Sequence, residues 1–527
     1  MMKKRIQSLY GTLLILFISL IFSACHKSAN PGMAYIPKDA NVVLSFNVKQ
    51  MHDKLKDGNF NLDSLMNELK TQDSSFALLP YLNLKVPVLT FFKYKSSMMT
   101  GKDVLIGVVG QISDRPGFEK ELVTIKPDKS IVKKDDYSYL LLDDNTAYVW
   151  NDKIITFYAG KDIAVQIPSL FHIKKDSSLT DDKTAIKILN GTGDVSIYSS
   201  SRDGMTGIPM LSMTKISDLI KGNYWGATLN FEKGEIVMNG DCYYNKTVED
   251  LIKKNPSENI NKAVLAHFPG KPLGLFQVSL NLKQIFSFLD YAGVTSMIEG
   301  YMKNLGITLD DVAKAFSGEI ALAMQSATGS SMAPSTPKIL TVVPIGDKSS
   351  FDKVMGAMAK MGAVEQINGQ WVPKGMKAED SWSFHSDDKS IVFSTDKDIA
   401  TAYVSGTGQM EYPKNVDFSG KTCVAYADIN GILTQMAASE KTSDSASLHL
   451  AIQTFEDVDL SATNIKGNHS SMDMTLRLKD KNQNSLPLLI STIQQFKKLD
   501  EAKAAQQSAV TDSLIVPLPP DLEDSPN

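Results

Sequence analysis

Hydrophobic positions come in short runs broken by turn residues, and the spacing of those runs predicts strands alternating with helices. Residues 41–48 (NVVLSFNV) are rich in β-branched and large apolar side chains and predict a strand. Asn47 followed by Gln50 has the spacing of a helix capping box, so a helix is expected to begin where that strand ends. Residues 104–109 predict a second strand, and Pro116 suits the first turn of a helix after it. Residues 137–142, 147–150 and 153–158 are short apolar runs separated by Asp143-Asp144-Asn145 and Asn151-Asp152, turn formers that predict antiparallel hairpins. Further hairpins are expected where residues 224–231 turn at Glu232-Lys233-Gly234 into 235–244, and where 459–465 turn at Lys466-Gly467-Asn468 into 470–478. From Leu486 to about Ser508 the spacing is helical, and the proline-rich, acidic end that follows predicts a disordered tail.

The pattern repeats. Ser45-Phe46-Asn47-Val48-Lys49-Gln50-Met51 returns as Ser279-Leu280-Asn281-Leu282-Lys283-Gln284-Ile285. Ile106-Gly107-Val108-Val109 resembles Leu340-Thr341-Val342-Val343, Phe118-Glu119-Lys120 resembles Phe351-Asp352-Lys353, and Lys161-Asp162-Ile163-Ala164 resembles Lys397-Asp398-Ile399-Ala400. These matches are collinear, at shifts between 233 and 236 residues, and so predict an α+β fold of two tandem similar repeats, each a mainly antiparallel sheet with packed helices. The repeats are placed at 35–258 and 259–498, with a polar seam around 255–261 and residues 499–527 as helix end and tail. Residues 326–337 (SATGSSMAPSTP) read as a solvated insert.

The chain starts differently. Lys3, Lys4 and Arg5 precede an apolar run over 13–22 (LLILFISLIF), then Ser23-Ala24-Cys25. That order reads as a lipoprotein signal peptide, 1–24, with Cys25 as the lipidated residue, although Phe22 stands where leucine is usual. The run is short of the roughly 18 apolar residues of a spanning helix. Acyl chains would then be the membrane anchor, and 25–34 a flexible tether. His26 rather than aspartate follows Cys25, which favours the outer membrane, and the lack of an acidic cluster after it favours a periplasmic face.

Composition adds exclusions. The 527 residues are 43% apolar and 22% charged, a globular balance rather than a disordered or polytopic one. Formal charge moves from −4 to −7 once Lys3, Lys4 and Arg5 are removed, a poor match to nucleic acid. Beyond Cys25 stand only Cys242 and Cys423, each in an expected strand. Small apolar packing is the default reading for them, and a mutual bridge is the alternative.

Catalytic chemistry leaves little trace. There is no His-Glu-x-x-His, no glycine-rich phosphate loop and no Gly-x-Ser-x-Gly. The seven histidines are scattered. Of the acid pairs Asp143-Asp144, Asp181-Asp182, Asp310-Asp311 and Asp387-Asp388, the first and last fall in expected turns and Asp310-Asp311 in the first helical turn after Thr308, so structural use is read before a glycosidase pair or calcium ligands. Met355, Met358 and Met361 have the spacing of a core stripe, and Trp225, Trp371 and Trp382 read as core or interface residues before sugar platforms. No catalytic, cofactor or metal site is expected. Ser445 and Ser513, within Asp-Ser-aliphatic triplets, resemble O-glycosylation acceptors of exported gut-bacterial proteins.

With Cys25, the opening Tyr35-Ile36-Pro37-Lys38-Asp39-Ala40 and the strand end Ser45-Phe46-Asn47-Val48, the chain resembles an uncharacterised family of lipoproteins of about this length from gut-type anaerobic bacteria, a domain of unknown function. The resemblance implies an extracytoplasmic location and carries no catalytic residue. The expectation is a lipid-anchored envelope protein with a non-catalytic binding or scaffolding role toward a protein, lipid or glycan. The alternative is a glycan or peptide hydrolase whose site assembles from distant residues.

Overall fold

Asn47 ends the first strand and caps the first long helix: its side chain accepts from the Gln50 N–H, and Gln50 in turn accepts from Asn47 Nδ2 at 3.0 Å. Asn281 likewise accepts from the Gln284 N–H, while its Nδ2 donates to the Pro256 carbonyl at 2.8 Å. Asp114 caps the helix Arg115–Ile125, with Pro116 in its first turn. Local capping of this kind fixes where each strand hands over to a helix.

The computed structural model describes residues 30–58, 60–97, 101–201, 214–326, 337–375, 382–439 and 445–513. Its strands are β1 Val42–Phe46, β2 Val88–Ser97, β3 Gly101–Gln111, β4 Val132–Lys133, β5 Ser138–Asp143, β6 Thr146–Trp150, β7 Ile154–Ala159, β8 Val195–Ser200, β9 Tyr224–Glu232 and β10 Glu235–Tyr243. They continue as β11 Gly274–Ser279, β12 Glu319–Gln325, β13 Lys338–Pro344, β14 Val364–Ile367, β15 Gln370–Pro373, β16 Ser383–Ser386, β17 Ser390–Ser394, β18 Lys421–Ala427, β19 Phe455–Thr463 and β20 His469–Leu478. All but β14 and β15, which form their own hairpin, belong to one 18-stranded sheet.

Neighbouring strands in that sheet are antiparallel throughout. From one end the order is β4, β5, β6, β7, β3, β2, β1, β8, β9, β10, and then β20, β19, β18, β11, β12, β13, β17, β16. The middle pair is β10 with β20, in register from Glu235↔Arg477 to Tyr243↔His469. Stepping outward from it meets β9, β8, β1, β2, β3 and β7 on one side, and β19, β18, β11, β12, β13 and β17 on the other.

Each flank carries its own core. Val43, Leu89, Phe91, Val109 and Tyr158 are buried together in the first half, and Leu275, Ala321, Leu340, Val342 and Val424 in the second. The fold is thus mixed helix and strand around a large antiparallel sheet. No helix among the described residues is long and apolar enough to cross a membrane.

Three details depart from expectation. Residues 30–34 are not a loose tether: Asn30 is buried, donates to the Pro87 carbonyl at 2.6 Å and caps the 3-10 turn Pro31–Tyr35, with Gly32 and Met33 buried. Apolar Met33 and Ile36 draw this stretch onto the first core. Residues 485–498, assigned above to the second repeat, belong to the helix Ser485–Ser513, whose Leu486 and Ile490 pack on Met51, Leu55 and Leu65 of the first half. Met361 follows the helix Lys348–Lys360 as its C-cap and is 48% exposed, so only Met355 and Met358 of the methionine stripe face inward.

Candidate functional site

The clearest cavity lies in the second half, on the sheet face opposite the main core there. Alternation along β12 buries Ala321 and Ala323 in that core and turns Ile320 to the other side. Val343 of β13 and Ile391 of β17, cross-strand partners, continue the same surface. The helix Lys348–Lys360, capped by Asp347, lays Met355 and Met358 over it. Gly362, at φ +77°, then turns the chain into the β14–β15 hairpin, which supplies Val364 and Pro373. Ser386 of β16 pins that hairpin: its hydroxyl accepts from the Trp371 N–H and donates to the Trp371 carbonyl, each at 3.0 Å.

The space, open to solvent on one side, is about 530 Å³, within the roughly 300–1,000 Å³ of small-molecule sites. Its walls are almost wholly apolar, with Leu280, Leu282, Phe316 and Phe384 completing them. Leu280 and Ile320 remain 37% exposed at its mouth. Gly318 sits beside them at φ +88°, where a Cβ would fall 2.0 Å from the Leu280 carbonyl oxygen. Only glycine permits that approach of β11 to the start of β12.

Among the described residues the one ionisable group at this wall, Glu319, belongs to the opposite face. Its carboxyl accepts from the Asn261 N–H at 2.8 Å and from Gln277 Nε2, and burial pushes its pKa above the ordinary range against those two bonds. Among the described residues the cavity therefore offers shape and apolar surface, and no general acid, base or nucleophile.

A second cavity, about 730 Å³, opens in the first half among Lys38, Lys93, Lys161, Asp39 and Asp176. Lys93 is paired with Asp39 at 2.6 Å and Lys38 with Asp181. Two of its cations are thus already neutralised within the fold, and the remainder is a solvated groove.

The residues singled out from sequence take structural places. Asp143 accepts from Asn145 N–H, and Asp387 from the N–H groups of Lys389 and Ser390, as turn residues. Asp311 completes a capping box with Thr308 and meets Lys353 at 2.7 Å; the lysine and the Thr308 hydroxyl hold its pKa down to about 2. Asp182 caps the helix Lys183–Leu189 and accepts from the buried Tyr198 hydroxyl at 2.7 Å. Cys242 and Cys423 are free thiols in β10 and β18. Among the described residues no three His, Cys, Asp or Glu side chains gather as a metal site. Ser445 is the first residue of the helix Ser445–Thr454 and Ser513 the last of Ser485–Ser513. Cys25, the signal segment 1–24 and residues 514–527 lie outside the described residues. Sequence reasoning missed the pocket itself. Its lining is mostly aliphatic; Leu280 and Leu282 of the second Ser45–Met51 motif, Val343 of the second Ile106–Val109 match, and Met355 and Met358 of the methionine stripe touch it, and none of these motifs marked a cavity.

A family model described as Domain of unknown function (DUF4836) matches residues 33–399, and the chain belongs to that family. The match begins at buried Met33 and ends in the helix Lys397–Val404, so it spans the pocket-lining residues. Among solved structures, crystal forms I and IV of TP0453 align at 13% and 12% identity, over 45% of this chain and 90% and 89% of theirs, each with a TM-score of 0.25. Comparison with curated proteins gives no match.

Proposed function

We propose that this is a lipid-anchored cell-envelope protein, held at the outer membrane on its periplasmic side through Cys25, whose role is to bind an apolar ligand without catalysis. The observation that carries the binding role is the 530 Å³ pocket with an apolar lining and, among the described residues, no reactive group at its walls. The basic start, short apolar run and small-small-Cys ending support the anchor. In this reading the body is two tandem copies of one α+β unit. The strand order that runs alike outward from β10 and β20 supports that, as do the paired caps at Asn47 and Asn281.

Binding is tested with N-phenyl-1-naphthylamine, a neutral probe that fluoresces in apolar surroundings. Saturable binding to the purified chain is expected, weakened roughly ten-fold or more by Ile320→Glu, which sets a charge at the mouth. Absence of saturable binding overturns the role. Anchoring is tested by Cys25→Ser, expected to release the protein from the membrane fraction; an unchanged membrane association rejects the lipid anchor. Intact-mass measurement of the mature chain also reports whether Ser445 or Ser513 carries a glycan.

A further inference from the structure

We propose that the pocket takes one unbranched aliphatic chain, with any polar head of the ligand left outside at the Leu280–Ile320 mouth. This rests on the pocket being a binding site.

The first argument is charge. A buried polar or ionised group needs a partner, and without one it costs several kcal/mol. Among the described residues the wall has none to give, because the carboxyl of Glu319 is engaged on the far side of β12 by Asn261 and Gln277. Whatever enters is therefore neutral and free of hydrogen-bonding groups over its buried length.

The second argument is what the fold itself puts in the matching place. In the first half, Thr90, Val108 and Phe157 form one cross-strand row, and Leu44 pairs with Thr90. In the second half Val278 pairs with Ile320, and Val343 with Ile391. Over the first row the 3-10 segment Ser74–Tyr81 brings in Leu78 and Leu79, which with Leu82 and Leu84 leave a gap of only about 120 Å³. Matching Thr90 to Ile320 through their partners Leu44 and Val278 gives a local shift of 230 residues and sets Leu78 and Leu79 against Thr308 and Leu309. Thr308 caps a helix and Leu309 packs with Met302 and Ile307 away from the pocket, so that plug is missing and about 530 Å³ stays open. The chain fills the first place with a series of aliphatic side chains, and an aliphatic ligand replaces them in the second.

Exposure follows the same division. Phe46 is 5% exposed, whereas Leu280, at the same position of the repeated motif, is 37% exposed. Met355 and Met358, unbranched and polarisable, can follow the bends of a flexible chain.

The test is competition against bound cis-parinaric acid, a linear fluorescent probe, on the purified chain. Competitors are saturated fatty acids from eight to sixteen carbons and lysophosphatidylcholines with the same tails. Competition is expected to strengthen about four-fold per added methylene until the pocket is full. Equal behaviour of the two series identifies the chain alone as the determinant, and success of the fatty acids only assigns a free acid as the ligand. Val343→Trp, which fills the pocket, should abolish both at an unchanged unfolding midpoint. If that variant does not fold, the length series on the unaltered chain decides. Binding of N-phenyl-1-naphthylamine with competition that ignores tail length overturns the aliphatic chain and leaves the apolar pocket standing. Failure of both probes removes the pocket reading itself.

Discussion

Asn239 of β10 donates through Nδ2 to Asp473 Oδ1 of β20 at 3.0 Å, directly across the pair where the two halves of the sheet meet. Ser471 adds a bond to Asp241 at 2.7 Å, and Arg477 reaches Glu235 from the far end of the same ladder. The halves are therefore joined by a full-length strand pair, not by a linker alone.

Separating them leaves a long strand edge on each side. A chain of residues 30–244 exposes β10 and also loses the cover that Leu486 and Ile490 give to Met51 and Leu55. It is expected to run on size exclusion as dimers or aggregates, and co-expression with residues 245–513 is expected to restore a single heterodimeric species. A monodisperse monomer of 30–244 would contradict this account of the seam.

Among the described residues of the first half, Lys54 holds the most deeply buried carboxylate. Its ammonium lies 2.7 Å from Asp194, which has no exposed surface and also accepts from the Phe231 N–H at 2.6 Å. Burial pushes the Asp194 pKa up, and Lys54 pulls it back. Lys54→Met strands that carboxylate and should cost about 3–5 kcal/mol in urea unfolding. Lys54→Met with Asp194→Asn should recover part of the loss.

Glu319 gives a pH signature of definite sign. Its folded pKa is raised above the ordinary 4.5, so the folded state holds the proton more tightly than the unfolded state does. That contribution to stability is complete below 4.5 and is lost as pH rises through the raised value. Glu319→Gln keeps an acceptor for Asn261 and does not titrate. The melting temperature of the variant minus that of the parent should therefore grow from pH 4.5 upward, and a constant difference would sink the assignment.

Gly318→Ala tests the pocket mouth. The positive φ and the 2.0 Å approach to the Leu280 carbonyl together predict a loss of at least about 2 kcal/mol. Thermal unfolding reads the loss, and N-phenyl-1-naphthylamine binding should fall with it because β11 and β12 must part there.

Much of the architecture was legible because it is local. Caps at Asn47 and Asn281, Pro116 in the first turn of its helix, the turns at Asp143 and Gly467, and the strand runs follow from short-range chemistry. The pocket was not legible, because burial is decided by what packs on top. Phe46 and Leu280 occupy the same position of heptapeptides identical at four of seven residues, yet only Phe46 is covered. The return of Leu486 and Ile490 to the first half, over more than 400 residues, likewise leaves no local mark.

Asn30 sets a limit on reach. It is fixed to Pro87 and followed at once by a packed turn, so with an anchor at Cys25 only four residues lie between lipid and body. Five virtual bonds span at most about 18 Å. The molecule would ride close above the bilayer instead of extending across the periplasmic gap, and cargo would have to be exchanged at that short height.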